Sequence, residues 1–222
     1  SQRALTELVG RVDEFEDLPA AGGRRGAEGA GPLHEPMLRF VQWARTFGAT
    51  SAAGSWKIFE LVNPANQLGQ SPLRPPSVFN FFRPGYVPPG TALSASGATA
   101  PEFQLVNESS VGGYLNFMQG VIERGINCPN PGVPQAAYNN YAYDVVASYA
   151  EELPLVTDAT ALVTRLSLLL TASQLSANTR QLIVTALDAT PVVATSTDTV
   201  KRRRVWAAIL MIMASAEYLI QK

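Results

Sequence analysis

The sequence predicts an all-α fold, an irregular domain of about six or seven helices with one long ordered loop rich in proline and aromatic residues. Apolar residues recur at intervals of three and four along most of the chain, which is the spacing of amphipathic helices. Strand-like patterns are nearly absent outside residues 191–195. The 222 residues, 46% of them hydrophobic, are enough for one sizeable core.

The first helix is predicted at residues 3–16, where a helical apolar spacing precedes a Gly-rich link. We therefore separate an N-terminal helix and Gly-rich link, residues 1–31, from a single helical domain at residues 32–222 that includes an irregular segment at residues 64–101. That domain begins with a strong apolar stripe at residues 32–49, and Gly48 is the expected stop of its helix.

The later part of the chain predicts five more helices from N-cap residues and apolar spacing. The first of them ends near Gly125, and the last continues to about Ile220. Four of them are predicted to begin at Asn107 or Ser109, at Asp158, at Ser176 and at about Asp198. The fifth is a short helix flanked by the tyrosines of residues 138–149.

The last predicted helix contains KRRR at residues 201–204, followed by an apolar run at residues 205–214. A basic flank before an apolar run is also typical of a membrane anchor. A membrane span needs about 20 apolar residues, however, and Glu217 follows this run closely. We therefore predict a buried core helix and no membrane span. The net charge of −1 also argues against a nucleic-acid partner.

Residues 64–101 form the most unusual segment, with eight prolines and several aromatic residues. Proline at this density excludes long helices, while the aromatics argue against disorder. We expect an ordered, irregular segment packed on the helical body. Within it Arg74 and Arg83 bracket Asn80, and Tyr86 follows, so that two guanidinium groups and aromatic rings could hold an anion. Alternatively, the arginines tie the loop to helix carbonyls and carboxylates.

Catalytic and metal chemistry have few candidate residues, because the chain has one cysteine, Cys128, and one histidine, His34. A structural zinc site needs about four Cys or His ligands. We therefore predict no metal and no cofactor. The adjacent carboxylates Glu151 and Glu152 are expected to be solvated neighbours and not an acid/base pair, since such a pair must converge across a cleft.

Four stretches taken together carry a family resemblance. They are EPMLRFVQWARTFGA (35–49), LGQSPLRPPSVFNFFRPGY (68–86), PEFQLVNESSVGGYLNFM (101–118) and RRVWAAILMIMASAEYLIQ (203–221). In this order they resemble the C-terminal part of the bacterial domain of unknown function 1800 family, over about residues 33–222.

This resemblance implies that the chain is part of a longer protein, because family members are usually much longer. It also implies export, hence a periplasmic or extracellular location, and a partner in a sulfatase-like protein encoded nearby. It brings no established activity. Arg74, Asn80, Arg83 and Tyr86 match motif positions of the family that have no assigned role.

Three functions are compatible with these observations. The first is an accessory helical domain that binds a partner or an anionic ligand through the loop. The second is a hydrolase of an extracellular polymer or ester, with carboxylates such as Glu108 as acid/base groups and with Arg83 and Tyr86 holding substrate. The third is a structural subunit of an extracellular assembly. Whether the protein is an enzyme is left open by the sequence.

Overall fold

A computed structural model of the chain describes residues 36–51, 77–79, 81, 83–104, 108–126 and 145–219. These residues form seven α-helices, two short 3-10 helices and one pair of two-residue strands, which confirms the predicted all-α fold. The α-helices are α1 (Pro36–Thr46), α2 (Ala92–Ser96), α3 (Glu108–Arg124), α4 (Ala159–Thr171), α5 (Ala177–Asp188), α6 (Asp198–Met213) and α7 (Ala216–Leu219). The 3-10 helices are Pro101–Gln104 and Leu153–Leu155, and the strands are β1 (Thr50–Ser51) and β2 (Val145–Val146).

Side-chain caps begin the helices of the second half of the chain. The carboxylate of Asp158 accepts a hydrogen bond from the backbone N–H of Ala161 at 2.9 Å, ahead of α4. Ser176 Oγ accepts one from the Thr179 N–H at 3.1 Å, ahead of α5. Thr197 caps α6 in the same way. These contacts satisfy backbone donors that have no partner within the helix, so the predicted starts of all three helices are confirmed.

Two glycines end helices in the left-handed region, as expected for Gly48 and Gly125. Gly48, with φ of 54°, follows α1, and Gly125, with φ of 86°, follows α3. A Cβ atom at Gly125 would lie 2.3 Å from the carbonyl oxygen of Val145. Only glycine therefore permits the close approach in which the N–H of Ile126 donates to that oxygen at 2.9 Å. This contact places β2 beside the end of α3, and β2 also pairs with β1, where Thr50 lies opposite Val146 in antiparallel register.

Two sequence expectations are wrong in detail. Residues 191–195 form an irregular turn and no strand, with Val192 in the core and Val193 exposed. Of residues 138–149 the structure describes 145–149, which contain β2, and the short helix predicted among the tyrosines stays a prediction because residues 138–144 lie outside the described part of the chain. The last helix is broken at Ser215, whose N–H bonds to Ile212 O and whose hydroxyl caps α7. Local periodicity contains no information about a partner from a distant part of the sequence, such as β1 for β2.

Helix α6 lies at the centre of the core and packs against α3, α4, α5 and α7. Its second half is buried on nearly all sides. The buried side chains are Val205, Ala208, Ile209, Leu210, Met211, Ile212 and Met213. The predicted core helix is therefore confirmed, and none of the described helices has the length and apolar character to cross a membrane.

Arg204 is the buried member of the KRRR run, and it caps the C-terminus of α5. Its Nη1 donates to Leu187 O at 2.7 Å and to Thr190 O at 2.9 Å, and its Nη2 bonds to Asp188 Oδ1 at 2.8 Å. The guanidinium thus binds carbonyls at the negative end of the helix dipole and a carboxylate beside them. Arg202 and Arg203, by contrast, are exposed.

Helix α7 is attached to the start of α5 by a carboxylate. Glu217 Oε1 accepts hydrogen bonds from the Thr179 hydroxyl at 2.7 Å and from the Ser176 N–H at 3.2 Å. Burial disfavours the charged form of Glu217, but these hydrogen bonds outweigh it and lower the pKa of its carboxyl group. A carboxylate is also favoured at this position by the positive end of the α5 dipole.

A chain of buried hydrogen bonds attaches α1 to the rest of the core. Trp43 Nε1 donates to Tyr149 Oη at 3.0 Å, and Tyr149 Oη donates to Ile122 O at 2.9 Å. Gln42 adds a bond to the carbonyl of Leu170, at the end of α4. These contacts fix the rotation of α1, so that Phe40, Trp43 and Phe47 face the core.

We predict that Arg204→Met destabilises the fold by about 2–4 kcal/mol, because it removes the donor to the buried carbonyl of Leu187 and to the carbonyl of Thr190 while preserving side-chain volume. The matched control is Arg203→Met, an exposed neighbour, for which we expect a change within about 0.5 kcal/mol. Urea unfolding followed by circular dichroism measures both. Equal stability of the two variants would show that Arg204 does not support α5.

We predict that Glu217→Gln destabilises the protein by about 1 kcal/mol at neutral pH, since the charged hydrogen bonds to α5 are weakened. The folded pKa of Glu217 is lowered, so its contribution is complete above the unfolded value of about 4.3 and is lost as the pH falls through the folded value. The difference in unfolding free energy between wild type and variant should therefore be constant from about pH 6 to 8 and shrink below about pH 4. A difference independent of pH would contradict this account.

Candidate functional site

The predicted proline- and aromatic-rich loop is closed by hydrogen bonds between its two ends. The N–H of Arg83 donates to Gln104 Oε1 at 2.7 Å, and the N–H of Ala100 donates to Tyr86 O at 2.8 Å. The N–H of Tyr86 turns back to Arg83 O at 2.9 Å. Residues 83–104, which we call the closed loop, therefore form a compact loop whose ends lie together.

Helix α2 lies within the closed loop and is capped at both ends. The hydroxyl of Thr91 donates to Pro88 O at 2.8 Å and accepts from the Ser94 N–H at 3.2 Å, which begins the helix. Gly97, with φ of 67°, ends it. Pro88 and Ala100 are buried. The loop is thus ordered by caps and turns, although its prolines remove several backbone donors.

An exposed apolar pair lies just before the closed loop. The side chain of Val78 is 95% exposed and that of Phe79 is 59% exposed. The Phe79 N–H donates to Ser77 Oγ at 3.2 Å, so the chain turns here and both side chains point outward. The expectation that this segment packs on the helical body is wrong for these two residues. We call Val78 and Phe79 the exposed pair.

The structure describes only part of the predicted site. Arg83 is exposed, and Tyr86, three residues later in the same turn, is half-buried. Arg74 and Asn80 lie outside the described residues. Glu108 begins α3, and its side chain also lies outside the description. Convergence of the five predicted residues on one ligand therefore stays a prediction. His34 and Cys128 also lie outside the described residues.

The carboxylates Glu151 and Glu152 are engaged in an ion pair. Arg165 Nε bonds to Glu152 Oε1 at 2.8 Å, and its Nη2 bonds to Glu151. Glu152 is buried, so the expectation of two merely solvated carboxylates is wrong for it. Hydrogen bonding to Glu152 raises the pKa of Arg165. Across the described part of the chain, no group of three or more His, Cys, Asp or Glu side chains is placed to hold a metal ion.

Arg39, which no sequence motif indicated as a site residue, is buried on the apolar face of α1. It lies beside Phe40 and four residues before Trp43, where an amphipathic helix carries core residues. A charged residue at such a position is itself an indication of a buried polar contact. Its Nη2 donates to Leu219 O at 3.1 Å.

Comparison with known families matches residues 6–220 to the family described as Protein of unknown function (DUF1800). The chain belongs to this family. The resemblance seen in four stretches is therefore confirmed, and the match also includes most of residues 1–31. No curated protein and no solved structure matches this DUF1800 chain. The family description names no activity, so any function must be argued from geometry.

We predict that Gln104→Ala loosens the closed loop, because the Arg83 N–H loses its acceptor. Loss of one net hydrogen bond, about 1 kcal/mol, should speed hydrogen exchange of the Arg83 and Tyr86 amides about fivefold and leave α4 and α6 unchanged. Gln181→Ala, at an exposed glutamine of α5, is the control. Unchanged exchange at Arg83 would show that Gln104 does not close the loop.

Proposed function

We propose that the chain is a partner-binding helical domain whose partner contacts the exposed pair. The observation that carries the proposal is the exposure of two adjacent large apolar side chains, 95% for Val78 and 59% for Phe79. Single exposed apolar residues are common on protein surfaces. Two neighbours displayed together at a turn are better explained by a surface that another molecule covers.

The exposed pair has the energetic properties of a binding anchor. Burial of a valine or phenylalanine side chain contributes about 1.5–3 kcal/mol each. The turn at Ser77 and the adjacent closed loop restrict the backbone before binding, which lowers the entropy lost on association. Arg83 adds an exposed positive charge four residues after Phe79. A complementary partner would present an apolar pocket with a carboxylate nearby.

The proposal includes the location and partner implied by the family resemblance. The chain would act in the periplasm or outside the cell, as an accessory domain of an exported protein. The sulfatase-like protein encoded nearby is the first partner to test. Binding is favoured over hydrolysis because the exposed pair lies among the described residues, whereas the side chain of Glu108, the carboxylate of the hydrolase hypothesis, lies outside them.

We predict that the double variant Val78→Ser, Phe79→Ser raises the dissociation constant for the sulfatase-like protein by about a hundredfold or more, since two apolar anchors are lost. Its unfolding free energy should stay within about 0.5 kcal/mol of wild type, because neither side chain supports the core. Calorimetric titration and urea unfolding measure the two quantities.

The matched control is Val193→Ser, another valine in an irregular segment, 56% exposed, which should leave affinity unchanged. Arg83→Ala should weaken binding less than the double variant, and its effect should decline with added salt. Wild-type affinity in the double variant would refute the proposed surface. Self-association of the wild-type chain, abolished by the double variant, would replace it with the structural-subunit function.

A further inference from the structure

Three side chains from different helices meet in the core beside α7. Arg39 comes from α1, Tyr114 from α3 and Tyr218 from α7, and all three are buried. The guanidinium carbon of Arg39 lies 5.0 Å from the centre of the Tyr114 ring. Its Nη2 donates to Leu219 O at 3.1 Å, which fixes one side of the guanidinium group. We call these residues the Arg–Tyr cluster.

The Arg–Tyr cluster has unused hydrogen-bonding groups. Arg39 Nε, Tyr114 Oη and Tyr218 Oη are each inaccessible to solvent and have no hydrogen-bond partner among the described residues. The hydroxyl of Tyr114 lies within hydrogen-bonding reach of the Arg39 guanidinium, and this contact partly offsets the effect of burial on the pKa of the phenol, but the two groups are too poorly aligned for a full hydrogen bond. Protein interiors leave few buried polar atoms unpaired, and here three such atoms lie on neighbouring side chains.

The cluster also has a positive charge without a described counter-charge. An arginine side chain stays protonated in proteins, and the carboxylates in the described ion pairs belong to Arg165 and Arg204. Burial raises the pKa of both Tyr114 and Tyr218, so both phenols are neutral near pH 7 and can donate hydrogen bonds. One cation and two hydroxyl donors on adjacent side chains are complementary to an oxyanion.

We propose that Arg39, Tyr114 and Tyr218 form a binding site for a small oxyanion, a carboxylate or phosphate group. Arg39 Nε and the two phenolic hydroxyls donate to the anion, and the guanidinium supplies the neutralising charge. A single positive charge suits a monoanion such as a carboxylate. The site uses no residue of the exposed pair, so it can be tested independently of partner binding.

Entry to the site requires a movement of α7. This helix of four residues carries Tyr218, and it is held by the bond from Arg39 to Leu219 and by the contacts of Glu217 with α5. Because the three donor atoms are shielded from solvent, an anion reaches them when α7 separates from α1. Ligand entry is therefore linked to α7, the shortest of the described α-helices.

The experiment is a titration of the protein with sodium acetate and, separately, with sodium phosphate, against sodium chloride at equal ionic strength. The midpoint of thermal unfolding reports binding, because a ligand of the folded state stabilises it in proportion to its saturation. We expect acetate or phosphate to raise the wild-type midpoint beyond chloride and to saturate. Saturation with acetate indicates a carboxylate ligand, and saturation with phosphate alone indicates a phosphate ligand.

Tyr114→Phe and Tyr218→Phe separate binding from folding, since each removes one unpartnered hydroxyl and little volume. Without anion, we expect both variants to unfold at or above the wild-type midpoint. Their apparent dissociation constants for the anion should rise about tenfold, equal to about 1.4 kcal/mol. Tyr149→Phe is the control, because its hydroxyl bonds to Trp43 and Ile122. We expect it to lower the midpoint without changing anion affinity.

Two results would overturn the proposal. The first is a wild-type midpoint that acetate and phosphate raise no more than chloride does. The second is an anion effect of equal size in wild type, Tyr114→Phe and Tyr218→Phe, which would identify a general effect of salt on protein hydration.

Discussion

The arrangement of this domain depends on the burial of α6. Most helices of globular proteins are apolar on one side only and need a single neighbouring layer. The second half of α6 is buried on nearly every side, so neighbours must cover it from several directions. Helices α3, α4, α5 and α7 provide that cover. The layout of the other helices follows from this requirement, because exposure of any side of α6 would leave a large apolar area in water.

Buried polar side chains then set the positions of the surrounding helices. Arg204 fixes the end of α5 against α6, and Arg165 binds the segment before α4 through Glu152. Trp43 and Tyr149 connect α1 to α3 through a hydrogen-bond chain. Apolar packing alone tolerates rotation and sliding, whereas a buried donor must meet its acceptor at a defined distance. These contacts therefore add specificity to a core that is centred on α6.

The Arg–Tyr cluster differs from these contacts in one respect. In the other cases the charged group meets a carboxylate or several carbonyls at helix ends. At Arg39 the described partners are one carbonyl and the face of an aromatic ring, and two phenolic hydroxyls stay unpaired. The exposed pair lies at the opposite extreme, with apolar side chains in water and no part in the core. The two proposed binding functions rest on the Arg–Tyr cluster and the exposed pair, whereas the other polar contacts maintain the fold.

The sequence by itself determined the features that depend on neighbouring residues. Helix starts at Asp158 and Ser176, and stops at Gly48 and Gly125, follow from local hydrogen bonding and backbone freedom, so short-range patterns predict them. The apolar run of α6 likewise indicated a core helix, and four stretches together indicated the family.

Tertiary structure alone decided the features that join distant residues. The pairing of β1 with β2 and the meeting of Arg39 with Tyr114 and Tyr218 each need partners far apart in the chain. Of the predicted site, the structure describes the side chains of Arg83 and Tyr86, and it adds the exposure of Val78 and Phe79. The physical reason is that periodicity tells which side of an element is apolar, whereas burial of a given side chain depends on what packs against it.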